Sequence, residues 1–257
     1  MTKRYEKIAF VASAAPQAQE AFQEMKRLYP SVDPDDADVI VAIGGDGEML
    51  RALHQFMGTS KPIFGINRGS VGFLMNEYRT DNLIERIEMA DRSITHPLLM
   101  VAWDIHGQSH TARAINEVSM LRQTYQAAKL SISIDGKERL PELIADGLLV
   151  ATPIGSSAYN LSVDGPILPL NSPLLALTPI SAFRPRRWRG ALLPDRVSIV
   201  INITDPESRL VSAVADHTEI NGVSSVEISM DDTIDLVMLH DPNHSLDERI
   251  VAEQFGS

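Results

Sequence analysis

Apolar residues in the first hundred positions follow two rhythms. Residues 7–12, 39–43 and 61–66 are short, nearly continuous apolar runs of the kind a strand buried on both faces requires. Between and after them, residues 16–28, 49–57 and 81–89 carry apolar side chains at helical spacing, the first opened by Pro16, which suits the first helical position. Strands alternating with helices predict parallel pairing and a Rossmann-like α/β domain over residues 1–96.

From about Pro97 the rhythm shortens. Residues 98–106, 111–115, 128–134, 147–152, 197–203, 210–214 and 223–229 read as strands, and His106-Gly107, Asp135-Gly136 and Asn221-Gly222 supply turn residues tolerant of positive φ. An all-β domain over 97–239 follows. The chain as a whole is then α+β, an N-terminal α/β domain and a β-rich C-terminal one.

With 257 residues the chain can bury a core without staples, and it has no cysteine, which excludes disulfides, thiolate metal sites and a cysteine nucleophile. That composition is compatible with a reducing, cytoplasmic setting. The first five residues lead into no long apolar stretch, and the apolar runs are strand-length, which predicts neither signal peptide nor membrane span. A formal charge of -11, with no basic run outside 184–189, argues against nucleic acid or an anionic membrane as partner. An acidic chain that binds phosphates must do so locally, through backbone amides, a metal ion or a few placed cations.

Such a place is visible where the run 39–43 enters Gly44-Gly45-Asp46-Gly47 and a helix follows. Glycines let a ligand approach the backbone, and amides at a helix start point at an anion. Asp46 suits a proton acceptor for an attacking hydroxyl, or a partner for Mg²⁺, and equally an N-cap. A second glycine-rich stretch, 65–74, again follows a strand, and its Phe73 offers either a face for a purine or a core side chain. A third, 145–162, sets Asp146 before a buried strand and then a small, hydroxyl-rich turn with Ser157, Ala158, Tyr159, Asn160, Leu161 and Ser162, suited to a flat polar ligand or to capping a helix. Asn116-Glu117 suits ribose hydroxyls and an exocyclic amine, or a solvated loop. Arg51, one turn after Asp46, and the arginines of 184–189 suit phosphate or plain surface, and the seven histidines are scattered.

Taken in order, the GGDG turn, the G-I-N…G-x-x-G-F-L stretch at 65–74, Asn116-Glu117 and the D-G-L-x-V-x-T-P-x-G-S-x-A-Y stretch at 146–159 resemble the NAD kinase family, and the resemblance covers most of the chain. GGDG alone is shared with lipid kinases and resembles the turn of sugar kinases; the 146–159 stretch selects NAD kinase. The resemblance implies an α/β domain rejoined by the chain end, with 240–257 returning to it and 246–255 packing there, and an active site between the domains. It implies phosphorylation of the adenosine 2'-hydroxyl of NAD by ATP, another triphosphate or polyphosphate, with Mg or Mn brought by the donor's phosphates rather than held in a preformed cage. It further implies Asp46 as proton acceptor, Gly44, Gly45 and Arg51 at the phosphates, Asp46, Gly47 of the phosphate turn, Asn116, Glu117, Asp146 and 157–162 at NAD with Phe73 as a stacking face, and a homodimer or homotetramer.

The departures are specific. Glu48 stands where relatives have Thr, Ser or Asn, Ile144 where a basic residue is common, Ser157 where Thr is usual, and Asp216-His217-Thr218 where D-G-Q is frequent, so no role carries over to Asp216. A GGDG-type lipid or sugar kinase and a non-catalytic dinucleotide sensor are the alternatives.

Overall fold

The computed structural model describes residues 5–69 and 72–242. They form two compact units, one running to Thr95 and rejoined by the chain from Thr233 onward, the other His96–Asp232.

The first unit contains β1 (Ile8–Ala12), α1 (Pro16–Leu28), β2 (Val39–Gly44), α2 (Asp46–Gln55), β3 (Ile63–Asn67), α3 (Leu83–Met89) and β4 (Asp91–Thr95). Pro16 starts α1, Ala18, Ala21 and Met25 form its buried stripe, and Lys26 and Arg27 sit in the last turn, where positive charge opposes the helix dipole. The helix stops before Pro30, which disfavours helical geometry in the residue preceding it.

The second unit is built from β5 (Leu98–Asp104), β6 (Ser109–Ala114), β7 (Glu117–Arg122), β8 (Ala128–Ile134), β9 (Lys137–Ala145), β10 (Gly147–Ala151), the short α4 (Tyr159–Ser162), β11 (Leu174–Ile180), β12 (Ala191–Pro194), β13 (Ile199–Ile203), β14 (Val211–Ala215), β15 (Thr218–Ile220) and β16 (Val223–Met230). The chain then supplies β17 (Leu236–His240) to the first unit.

The first sheet runs β1-β2-β3-β17-β4, with β4 the antiparallel edge. The expectation of an all-β domain to residue 239 therefore took in one strand too many. Leu236–His240 is buried throughout, and a continuous apolar run carries no mark of the sheet it will join. Asn76 fastens that return. Its buried side chain donates to the carbonyls of Gly65 and Leu239, both at 3.0 Å, and accepts the N–H of Asp241 at 2.9 Å. Arg86 adds a nearly buried ion pair to Asp241 at 2.5 Å. Residues 246–255 lie outside the described residues.

The second unit is a sandwich of two antiparallel sheets, β12-β11-β10-β7-β14-β15 and β6-β5-β16-β13-β8-β9. Val118, Met120, Leu148 and Val150 of one sheet share a core with Met100, Leu130, Ile132 and Ile199 of the other. Each such aliphatic side chain contributes roughly 1.5–3 kcal/mol on burial. The β8–β9 turn has positive φ at both Asp135 and Gly136, as a two-residue hairpin turn matching the strand twist demands. β10 is buried on both faces: Leu149 and Ala151 pack away from the sandwich core, with Leu168 and Ile180 and against Tyr159. That second face is what anchors the segment after β10. Among the described residues no helix is long and apolar enough to cross a membrane.

Candidate active site

β2 ends at Gly44 and α2 begins at Asp46, with Gly45 in the N-cap position. β2 and β3 are parallel neighbours with Gly44 opposite Asn67, so the chain leaves both strands at the same sheet edge. The N–H of Arg68 donates to the Gly44 carbonyl at 2.7 Å. The two glycine-rich stretches therefore meet, and Asp46 fastens them: Oδ2 accepts the N–H of Phe73 at 2.8 Å and Oδ1 that of Leu74 at 2.9 Å. The carboxylate is thus not an N-cap. An ionised carboxylate has about four acceptor sites, so two amides leave capacity for a hydroxyl proton.

The glycines of the turn differ in what demands them. A β carbon at Gly44 would lie 2.7 Å from Cβ of Glu48, so the packing of α2 on β2 requires that glycine. At Gly45 and Gly47 a β carbon would meet nothing within 4 Å among the described residues. Those two positions leave room beside the first turn of α2, where the helix dipole favours an anion. Glu48 is buried, but its charge is met on its own helix by Arg51, whose Nε and terminal nitrogen reach the two carboxylate oxygens at 2.9 and 2.5 Å. Leu74 is a core residue, whereas Phe73 is half-buried.

In the second unit Asn116 and Glu117 lie where β6 gives way to β7. Thr152, just past β10, grips this crossing: its N–H donates to the Asn116 carbonyl at 2.9 Å, its hydroxyl to the Ile115 carbonyl at 2.7 Å, and its Oγ1 accepts the N–H of Gly155 at 3.1 Å. From the other side, the Asp216 carboxylate accepts the N–H groups of Ile115, Asn116 and Glu117 at 2.6, 3.0 and 3.2 Å.

Glu117 Oε2 is buried and has no hydrogen-bond partner among the described residues. Burial, and then the charge of Asp216, pushes its carboxyl up to about 7. Tyr159 shares this environment, for burial and then the charge of Glu117 raise its phenol. Asn116-Glu117 and the segment around Tyr159, read separately in the sequence, thus form one polar patch inside this unit.

Asp146 stands at the start of β10. Its Oδ1 accepts Nε of Arg122 at 2.5 Å, with both side chains more than a third exposed. Arg122 is a cation that residue pattern alone did not single out, although β7 and β10 run side by side there.

The chain is 55% identical over 257 residues to an NAD kinase of Rhizobium meliloti, covering all of both chains, and 56% identical over 251 residues to one of Caulobacter vibrioides, covering 98% and 96%. Residues 1–90 match the ATP-NAD kinase N-terminal domain, and residues 115–244 the ATP-NAD kinase C-terminal domain. The chain belongs to the NAD kinase family. Its fold is that of a yeast NADH kinase solved with NADH (TM-score 0.84, 20% identity, 99% and 88% of the two chains) and of an Archaeoglobus fulgidus NAD kinase solved with ATP (TM-score 0.78, 23% identity, 96% and 98%).

Within this family member, the segment 157–162 divides in two. Ser157, Ala158 and Tyr159 are half-buried, while Leu161 and Ser162 are exposed. Asn160 differs from the expectation of a ligand-facing residue: it is fully buried, accepts the Thr178 hydroxyl at 2.7 Å, and donates to the carbonyls of Ser156 and Pro166 at 3.2 and 2.8 Å. Both its donors serve the fold. Arg51 is likewise engaged with Glu48 and Gln55. Trp188 packs on the sandwich core, and the arginines around it are exposed. An apolar cavity of about 600 Å³ beside Trp188, lined by Ile132, Ile134, Leu140, Leu177 and Leu193, contains none of the candidate site residues described above.

Two further contributors, Thr152 and Asp216, act on the backbone of Asn116. Thr152 lay inside the recognised stretch, but its grip on residues 115–116 depends on strand pairing. Asp216 carries no such sign, because Asp216-His217-Thr218 departs from the family pattern.

Proposed function

We propose that Asp46 takes the proton from the adenosine 2'-hydroxyl of NAD as that oxygen attacks the terminal phosphorus of ATP or another phosphoanhydride donor. As an NAD kinase, the chain is a phosphotransferase that converts NAD to NADP. The O2'–P bond forms, the anhydride P–O bond of the donor breaks, and the proton passes to the carboxylate.

The observation that carries this reading is the position of Asp46. It stands at the start of α2 between two glycines with open space beside them, and is held in place by two backbone amides. Phosphoryl transfer needs alignment and charge neutralisation more than covalent help, so a fixed acceptor beside a helix N-terminus is suited to it. Gly44, Gly45 and Gly47 would accommodate the donor's phosphates, and Asn116, Glu117, Asp146, Tyr159 and the neighbouring Ser157 and Ala158 would bind the dinucleotide. Phe73, half-buried at the same turn, would offer its ring to a base.

Among the described residues no three His, Asp or Glu side chains gather as a metal site. The residues fit an ion coordinated mainly by phosphate oxygens, with Asp46 the carboxylate nearest that turn. Such a Mg²⁺ or Mn²⁺, when bound, neutralises charge on the transferred group.

The test is NADP formation from NAD by the purified chain with ATP, other triphosphates and polyphosphate in parallel, each with Mg²⁺ or Mn²⁺. NADP should appear with at least one donor. Tight NAD binding with no NADP from any of them would make the chain a dinucleotide sensor instead.

A further inference from the structure

Asp216 and Asn116 are 100 residues apart, yet the Asn116 N–H donates to the Asp216 carboxylate at 3.0 Å. β14 pairs with β7 as far as Ala215 opposite Val118, and the two-residue turn that follows brings Asp216 beside the start of β7. Asp216 adopts a left-handed backbone, φ 49°, which Asp tolerates better than most residues. Its own N–H donates to the Glu117 carbonyl at 3.2 Å, while its carboxylate gathers the three successive N–H groups of Ile115, Asn116 and Glu117. Hydrogen bonds from neutral amides to an ionised acceptor are stronger than neutral pairs. Thr152 holds the carbonyls of Ile115 and Asn116 in the same crossing, and Gly155 packs against the Asn116 backbone. The backbone from which Asn116 and Glu117 project is therefore clamped through its donors by Asp216 and through its acceptors by Thr152.

We propose that Asp216 is the positioning residue of the dinucleotide site, fixing where the Asn116 and Glu117 side chains begin and thereby setting the affinity for NAD. This deepens, and rests on, the reading of the chain as an NAD kinase with that pair at the dinucleotide. It also gives Asp216 an electrostatic effect on Glu117. After burial, the charge that raises Glu117 is that of Asp216, from the β14–β15 turn, and Glu117 in turn raises the phenol of Tyr159, from α4. Removing the Asp216 charge lowers the pH at which Glu117 ionises, a change that a purely structural residue would not produce.

The experiment compares the parent with Asp216→Asn, which keeps size and tolerance of left-handed φ, and with Asp216→Ala. In Asp216→Asn, KM for NAD should rise by about tenfold or more, with kcat and KM for ATP within about threefold of the parent. The Glu117 limb in the pH dependence of kcat/KM for NAD should move to lower pH. In Glu117→Gln that limb should be missing, and adding Asp216→Asn should move nothing further. Hydrogen exchange supplies a readout independent of turnover: the amides of 115–117 should exchange slowly in the parent and faster in the folded variant. Fast exchange of these amides in the parent, or a folded Asp216→Asn with parental exchange or parental KM for NAD, overturns the proposal. A parent that makes no NADP, with exchange at 115–117 still released by the variant, would sink the kinase reading and leave the anchor standing.

Discussion

The backbone of Asn116 lies directly against Gly155: a β carbon on that glycine would sit 2.1 Å from the Asn116 carbonyl oxygen and 2.6 Å from its Cα. The obstacle is backbone that Thr152 and Asp216 already hold, so it cannot swing aside. Gly155→Ala should therefore destabilise the second unit by about 3 kcal/mol or more, a large value for a single methyl. Urea unfolding measures it. A loss below about 1 kcal/mol would mean that the 115–117 crossing is free to shift.

Asp46 combines two roles that substitution can separate. Asn at this position retains an oxygen for one of the amides of Phe73 and Leu74 but cannot take a proton. Asp46→Asn should lower kcat by about 100-fold or more while NAD affinity, measured by calorimetry, stays within about threefold. Parental turnover in this variant would remove Asp46 as the proton acceptor.

Arg51 answers the buried charge of Glu48, and its own side chain is 52% exposed. Arg51→Met should cost about 1–2 kcal/mol, less than the loss of a fully buried partner because water reaches the guanidinium. KM for ATP should change by less than about threefold. A tenfold rise in that KM at unchanged melting temperature would instead assign the arginine to the donor's phosphates.

Glu117 keeps its proton in the folded chain up to about pH 7, whereas the ordinary carboxyl loses it near 4.5. Between these values the unfolded chain binds fewer protons, so this residue subtracts stability as pH rises from 4.5 to 7 and subtracts no more above that range. Glu117→Gln removes the dependence. Relative to the parent, the variant should gain at least about 1 kcal/mol between pH 4.5 and 8. Urea titrations at both pH values check this, and a gap independent of pH would show that Glu117 ionises normally.

Much of the molecule was legible in its residues. The continuous apolar run of β2, the helical stripe of α1, the alternation in β8 and the Asp135-Gly136 turn each express a preference that a few neighbouring residues settle, and the structure places all four as expected. The residues 44–47 and 146–159 likewise carried the family likeness. Less legible were elements whose partner is remote. β17 had no local sign that it would enter the first sheet, and Asn160 looked like its neighbours until burial separated it.

What the sequence by itself determined was the kind of fold and the chemistry at hand: an α/β unit, a β-rich unit, and a carboxylate among glycines ahead of a helix. Tertiary structure alone decided who holds whom: Phe73 and Leu74 on Asp46, Asn76 on Leu239, Arg122 on Asp146 and Asp216 on Asn116. The reason is physical. Strand and turn preferences arise within a few residues, whereas a contact across 100 or 163 residues depends on which sheet and register bury the chain between. The entropy of closing such loops grows only slowly with length, so it leaves no mark on the residues that meet.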